Sequence, residues 1–349
     1  MRLSKKFSLL VFGCFGLTVL FAFVRGNEAV VSPFQNASDN QNEILAMSVE
    51  DALIRLGDVR PIHYIEKVDL DSVQMGEELV KYGRLKDKSN ARVSKFFVCT
   101  DCHNLQQESE NPADESPAAV VAYGKKNDLP FLQGSTFYGM YNKRHWYNGD
   151  YQKKYGELVR TSKDSLKNAI QLCATQCSQG REMQDWEIRA VLHYYKSLEY
   201  KIGDLEFGKD EINKLERYLT GNKTAAVKLI KTKYSEVNMA TFGTSQIPEI
   251  EGYQPDIETG KYIYENGCLH CHAVNREMTN FDLGDDKLSY KFLKGKLYAY
   301  NQFSISHITR YGTYAMNGRR QYMPQYSMEN MSDEQLLDLI HFIKSKADE

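Results

Sequence analysis

The chain has 349 residues, 42 % of them apolar and 26 % charged, with 44 Lys and Arg against 46 Asp and Glu. That length is a prior for about two domains, and the near-balanced charge, net −2, gives no bulk affinity for nucleic acid or anionic lipid. The composition is that of a soluble globular protein, and its 23 Tyr and 16 Phe suit a wrapper for a flat apolar group as well as an ordinary core.

At the start, Arg2, Lys5 and Lys6 precede an apolar run over 7–24, closed by Arg25. This is the n-region and h-region of an export signal, and the run is also as long as a short transmembrane helix. Residues 1–25 are therefore expected to be a signal peptide or an uncleaved inner-membrane anchor, with the body in the periplasm. No Ala-x-Ala cleavage site stands out, and Cys14, inside the run, reads as an inert apolar residue. Residues 26–70 begin with a polar stretch and read as a tether.

The next region, 71–204, opens with a helical pattern over 75–82 and then carries Cys99-Thr-Asp-Cys102-His103. Cys-x-x-Cys-His is the signature of covalent c-type haem attachment: two thiols add across the haem vinyl groups and the adjacent histidine reaches the iron. The region closes with a helix whose apolar face is Ile188, Val191, Leu192 and Tyr195, with Asp185 as its N-cap. Residues 205–251 show two helical patterns, one ending at Gly221 and one over 223–234, and no ligand pattern; they read as a helical connector.

Residues 252–349 repeat the plan. A helical pattern precedes Cys268-Leu-His-Cys271-His272, and the closing helix begins at Ser332 with Gln335 three residues on, a capping box, followed by Leu336, Leu339, Ile340 and Ile343. A second motif in a chain with an export segment makes chance improbable, and neither motif has the extra Cys or His pair that a closed four-ligand zinc site needs. The expected fold is all-α: two cytochrome c-like domains joined by a helical connector. The expected cofactors are two covalently bound haem c groups, held by Cys99, Cys102 and His103 and by Cys268, Cys271 and His272.

Each iron has a second axial position, whose ligand sets potential and function. For the second haem the candidate is Met323, in Met-Pro 51 residues after His272 and just before the last helix, with Met316 and Met328 as rivals. A His/Met pair raises the potential and suits electron carriage. For the first haem the candidates are Cys173, Cys177 and Met183, with a Cys173–Cys177 disulfide as the alternative use of the two cysteines.

Three passages carry a further resemblance. They are Val73-Gln-Met-Gly-Glu-Glu-Leu79 before the first motif, Gly134-Ser-Thr-Phe-Tyr-Gly-Met-Tyr-Asn-Lys-Arg144, and Ala169-Ile-Gln-Leu-Cys173 through Ser178-Gln-Gly180. Over about 130 residues the first region resembles diheme cytochromes of the thiosulfate dehydrogenase and sulfur-oxidation family. The resemblance places Cys173 where that family has the cysteine ligand of its catalytic haem. It implies a small sulfur oxyanion as substrate, with Arg144, Lys143 and Arg181 as candidate anion-binding groups. The departures are Cys177, Gln179-Gly180 in place of Asn-Gly, an insertion around 106–127, the His145-Trp-Tyr-Asn-Gly-Asp-Tyr151 stretch and the long connector.

Three functions follow as expectations. The first is an electron-transfer protein whose partner is a small cytochrome or a terminal oxidase. The second is a sulfur-compound oxidoreductase using Cys173 and Arg144. The third is a diheme peroxidase, with His145 or His193 as acid/base.

Overall fold

The computed structural model describes residues 37–276, 278–279, 281–298, 303–313 and 323–349. Residues 41–349 form one compact unit. Among the described residues no helix is long and apolar enough to cross a membrane. The 7–24 run, Cys14 and Met316 lie outside the described residues.

The described part is mostly helical, and two helix pairs organise it. Helix α3 (Leu70–Tyr82) is capped by Asp69, whose carboxylate accepts from the Ser72 N–H at 2.9 Å, and it stops at Gly83, in the left-handed region at φ 68°. It crosses α7 (Asp185–Ser197), burying Leu79 and Val80 against Ile188, Val191 and Tyr195. The expected cap of α7, Asp185, is already its first helical residue: Gln184 is the cap, and its N–H donates to Glu187 at 2.8 Å. The second pair is α10 (Ile257–Ile263) with α14 (Asp333–Asp348). Here the capping box forms as expected, with Ser332 Oγ accepting from the Gln335 N–H at 3.3 Å and Gln335 Oε1 from the Ser332 N–H at 3.1 Å.

Both pairs cross through a glycine. A Cβ on Gly76 of α3 would lie 2.1 Å from the Ala190 carbonyl oxygen and 2.8 Å from Tyr194 Cβ. A Cβ on Gly260 of α10 would meet the Asp338 carbonyl oxygen at 2.1 Å and Phe342 Cβ at 2.8 Å. The repeated helix–motif–helix plan is thus built twice with the same close approach.

The stretch read as a tether is structured from its middle onward. Helices α1 (Ala37–Ala46) and α2 (Val49–Arg55) precede α3, and Val49 and Leu53 are fully buried. They pack with the connector helices α8 (Lys209–Thr220) and α9 (Lys223–Lys231) through Leu215, Ala226 and Ile230, so tether and connector make one core between them. The connector then supplies strand β2 (Val237–Ala240), which pairs in parallel with β1 (His145–Gly149).

The insertion after the first motif is not an isolated loop. It holds α4 (Pro117–Asn127), whose Val121 joins the core of the α10–α14 pair together with Phe131. The Gln335 side chain donates to the Pro117 carbonyl at 2.7 Å, and the Tyr262 hydroxyl to that of Leu129 at 2.8 Å.

Candidate haem sites

Residues Cys99–Asp101 form a single tight helical turn, steadied by the Val98 N–H donating to Asp101 Oδ2 at 2.8 Å. The turn presents Cys99, Cys102 and His103 to one cavity. The His103 Nδ1–H donates to the Ser135 carbonyl at 2.7 Å, and the ring stacks on Phe137 with centroids 4.3 Å apart. A carbonyl oxygen can only accept, so this bond fixes the tautomer and leaves Nε2 for a metal. Burial lowers the His103 pKa and favours that neutral form. Gly134 lets the chain pass this close: a Cβ there would lie 2.3 Å from the imidazole.

The second motif is built alike. A π-helical turn, Tyr264–Cys268, leads into the short helix α11 (Leu269–His272). His272 Nδ1–H donates to the Phe281 carbonyl at 2.8 Å, again leaving Nε2 available. Cys268, Cys271, His272 and Met323 line the second cavity. The Met323 backbone is clipped to Thr313: its N–H donates to Thr313 Oγ1 at 2.8 Å and its carbonyl accepts from the Thr313 N–H at 3.0 Å. Met278 lines the same cavity and was missed by sequence reasoning, whereas Met328 packs beside Gly243 instead.

Both cavities are lined largely by apolar and aromatic side chains together with the motif cysteines and histidine, a chemistry that suits a porphyrin. Phe97, Gln133 and Pro324 line both, so the two sites share a wall. Cys271 lies close enough to Cys102 to help push its thiol pKa up, after burial. Among the described residues no group of three or more His, Cys, Asp and Glu side chains is placed to hold a metal ion.

The first cavity is also lined by Cys173, Cys177 and Met183. The helix α6 (Leu166–Leu172) ends in a π-helical turn over Cys173–Cys177, a widened turn of the kind found at functional sites. Around Cys177 stand the Tyr155 hydroxyl at 3.4 Å and the Tyr147 hydroxyl at 3.8 Å. Hydrogen bonds from Cys173, Tyr155 and Tyr147, with Lys154 nearby, hold the Cys177 thiol below its ordinary pKa, and its bond to Cys177, together with burial, drives Cys173 well up. Lys154 and Tyr155 belong to a short helix, α5 (Tyr151–Tyr155), and Lys154 also reaches Gln325. Tyr147, Tyr151, Lys154 and Tyr155 went unassigned in the sequence, although the aromatic stretch at 145–151 marked the place. Tyr147 holds φ at 53°, an uncommon backbone state for a bulky residue.

The cations expected beside the first haem are committed elsewhere. Arg144 does not line the cavity: its Nη2 donates to both oxygens of the fully buried Glu50, at 2.7 and 3.0 Å. Lys143 is buried against Glu115, at 2.5 Å, and Arg181 pairs with buried Glu187 at 2.6 Å. His145 binds Asp164 at 2.6 Å and His193 accepts from the Asp69 N–H at 3.2 Å, and neither lines a cavity.

No curated protein and no solved structure matches the chain. Residues 257–347, the segment from α10 to α14 with the second motif and Met323, match the family model for cytochrome c, and this part of the chain is a cytochrome c domain.

Proposed function

We propose that the chain is an exported two-haem c-type cytochrome that passes electrons between redox partners, one of them a small cytochrome or a terminal oxidase. The cytochrome c domain carries covalently bound haem c, and bound haem supplies a one-electron ferric/ferrous couple. Cys268 and Cys271 would anchor it, and His272 Nε2 and Met323 would be its iron-binding groups. The second haem is assigned to the first cavity, where Cys99 and Cys102 would anchor it, His103 Nε2 would bind the iron, and the Cys173–Cys177 turn would offer it a sulfur. Export to the periplasm rests on the charged and apolar start of the sequence.

The observation that carries this reading is the pair of matching clamps: two Cys-x-x-Cys-His motifs, each with histidine Nδ1 tied to a backbone carbonyl, in cavities sharing Phe97, Gln133 and Pro324. A sulfur-oxyanion oxidoreductase keeps the Cys173 side but loses Arg144, Lys143 and Arg181 as substrate groups. A peroxidase has no histidine acid/base among the cavity-lining residues apart from the proximal pair.

The test is haem stoichiometry. Protein matured with the c-type attachment machinery should carry two haems per chain by alkaline pyridine absorbance and intact mass. The Cys99→Ser/Cys102→Ser variant should carry one, with the absorption of a His/Met site. One haem on the wild-type chain overturns the two-haem reading.

A further inference from the structure

The Cys173–Cys177 turn holds one sulfur more than a distal ligand requires. Both thiols line the first cavity together with Cys99, Cys102 and His103. They stand four residues apart on this one turn, and the Tyr155 and Tyr147 hydroxyls approach Cys177 at 3.4 and 3.8 Å. The turn itself is tied down by the Ser178 N–H donating to the Cys173 carbonyl and the Gly180 N–H to that of Ala174, each at 2.8 Å. A turn hydrogen-bonded five residues apart is wider and flatter than an α-turn, and it brings residue 177 nearer to lying over residue 173. The stringent reach of a disulfide, difficult at this spacing on a regular helix, is thereby eased. In an oxidising compartment two thiols paired on one turn need a reason to stay reduced.

We propose that Cys173 and Cys177 are a redox-active dithiol that closes to a disulfide as the two-haem centre is reduced, with a thiol as the external substrate. This rests on the two-haem reading above. On closure the Cys173 S–H and Cys177 S–H bonds break and one S–S bond forms. Two protons leave to water, and two electrons leave singly, one to each ferric haem. The count matches the molecule: a dithiol yields two electrons, and two one-electron sites share a wall with Phe97 between them. Two external thiols, R–SH, reopen the disulfide by exchange and depart as R–S–S–R, so the net reaction is thiol oxidation at the expense of ferric haem.

Trypsin cutting after Lys167 and Arg181 releases residues 168–181, which hold both cysteines. Holoprotein oxidised with ferricyanide, denatured and alkylated should yield this peptide unalkylated and two hydrogens lighter. The same protein reduced first with dithionite should yield it doubly alkylated. Ferric wild type should be reduced by dithiothreitol at least tenfold faster than the Cys177→Ser variant, followed by the haem α-band. Alkylation of either cysteine after ferricyanide, or equal rates in the two proteins, overturns the dithiol. Haem content measured on the same sample separates that result from failure of the two-haem reading.

Discussion

At the scale of single residues, each Cys-x-x-Cys-His motif has its histidine Nδ1 tied to a backbone carbonyl, Ser135 for His103 and Phe281 for His272. The two motifs are readable because haem attachment demands Cys, Cys and His within one short loop. Arg144 was misread because its partner, Glu50, lies 94 residues upstream in a segment that reads as tether. Glu108 was silent for a related reason. Its carboxylate accepts from Asn104 Nδ2 at 2.7 Å and from the Thr136 N–H at 2.9 Å, tying together the residue after His103 and the residue after Ser135. It therefore sits under the clamp that orients His103. Burial pushes its pKa up to about 7, against the lowering effect of those two hydrogen bonds. A carboxyl raised in this way binds its proton more tightly folded than unfolded. Its stabilising contribution is full below the unfolded value near 4.5 and is lost as pH rises through about 7. Urea unfolding at pH 5 and pH 8 should thus show the Glu108→Gln variant gaining about 1–3 kcal/mol on the wild type between the two pH values. A gap that does not change with pH would remove Glu108 from this role.

At the scale of elements, the glycine crossings decide how the helix pairs meet. At Gly76 and Gly260 an added methyl runs into backbone carbonyls, which cannot swing aside as a side-chain tip can. Gly76→Ala and Gly260→Ala should each cost about 3 kcal/mol or more in thermal unfolding, the upper range for overpacking. Gly295 lies in helix α12 (Lys287–Lys296), where an added Cβ would meet nothing within 4 Å. Gly295→Ala should stabilise by about 0.5–1 kcal/mol, because the helix then loses less backbone entropy on folding. Equal effects at the three sites would show that the crossings are not close-packed. Helices with a clear apolar period and cap, such as α3, α8 and α14, were readable because the signals are local. The β1–β2 pair was not: each strand is short, and the two meet only because the connector returns past residue 145. The packing of 41–56 on 209–231 was likewise opaque, since these distant segments meet in one core that also takes in Tyr200, Ile202 and Leu205.

At the scale of the whole molecule, the segment from α4 to Ser135 binds the two motif-bearing regions together. Phe131 is 2 % exposed, stacked on Tyr326 at 5.5 Å, with its N–H on the Asn266 carbonyl and its own carbonyl held by the Tyr326 hydroxyl. Two residues on, the Gln133 carbonyl takes a hydrogen bond from Asn330, and then Gly134 and Ser135 meet His103. A strand of chain that begins in the first motif's region is thus anchored in the second core and returns to clamp the first histidine. The sequence divides into two haem regions because motifs and closing helices repeat. It hides this strap because an insertion carries no sign of which half it packs on. If the strap couples the halves, wild-type protein should unfold in one cooperative step, with far-UV circular dichroism and haem absorption giving the same midpoint. Phe131→Ala removes a buried ring and should cost about 3–5 kcal/mol. The loss should appear at both haem sites, although the ring belongs to the second core, because the His103 clamp at Ser135 lies four residues along the strap. Followed by magnetic circular dichroism, the haem signals of the two sites should fade at a common, lowered urea concentration. A shift confined to the second signal would mean that the strap merely rests on the second core and that the two haem regions fold as separate units.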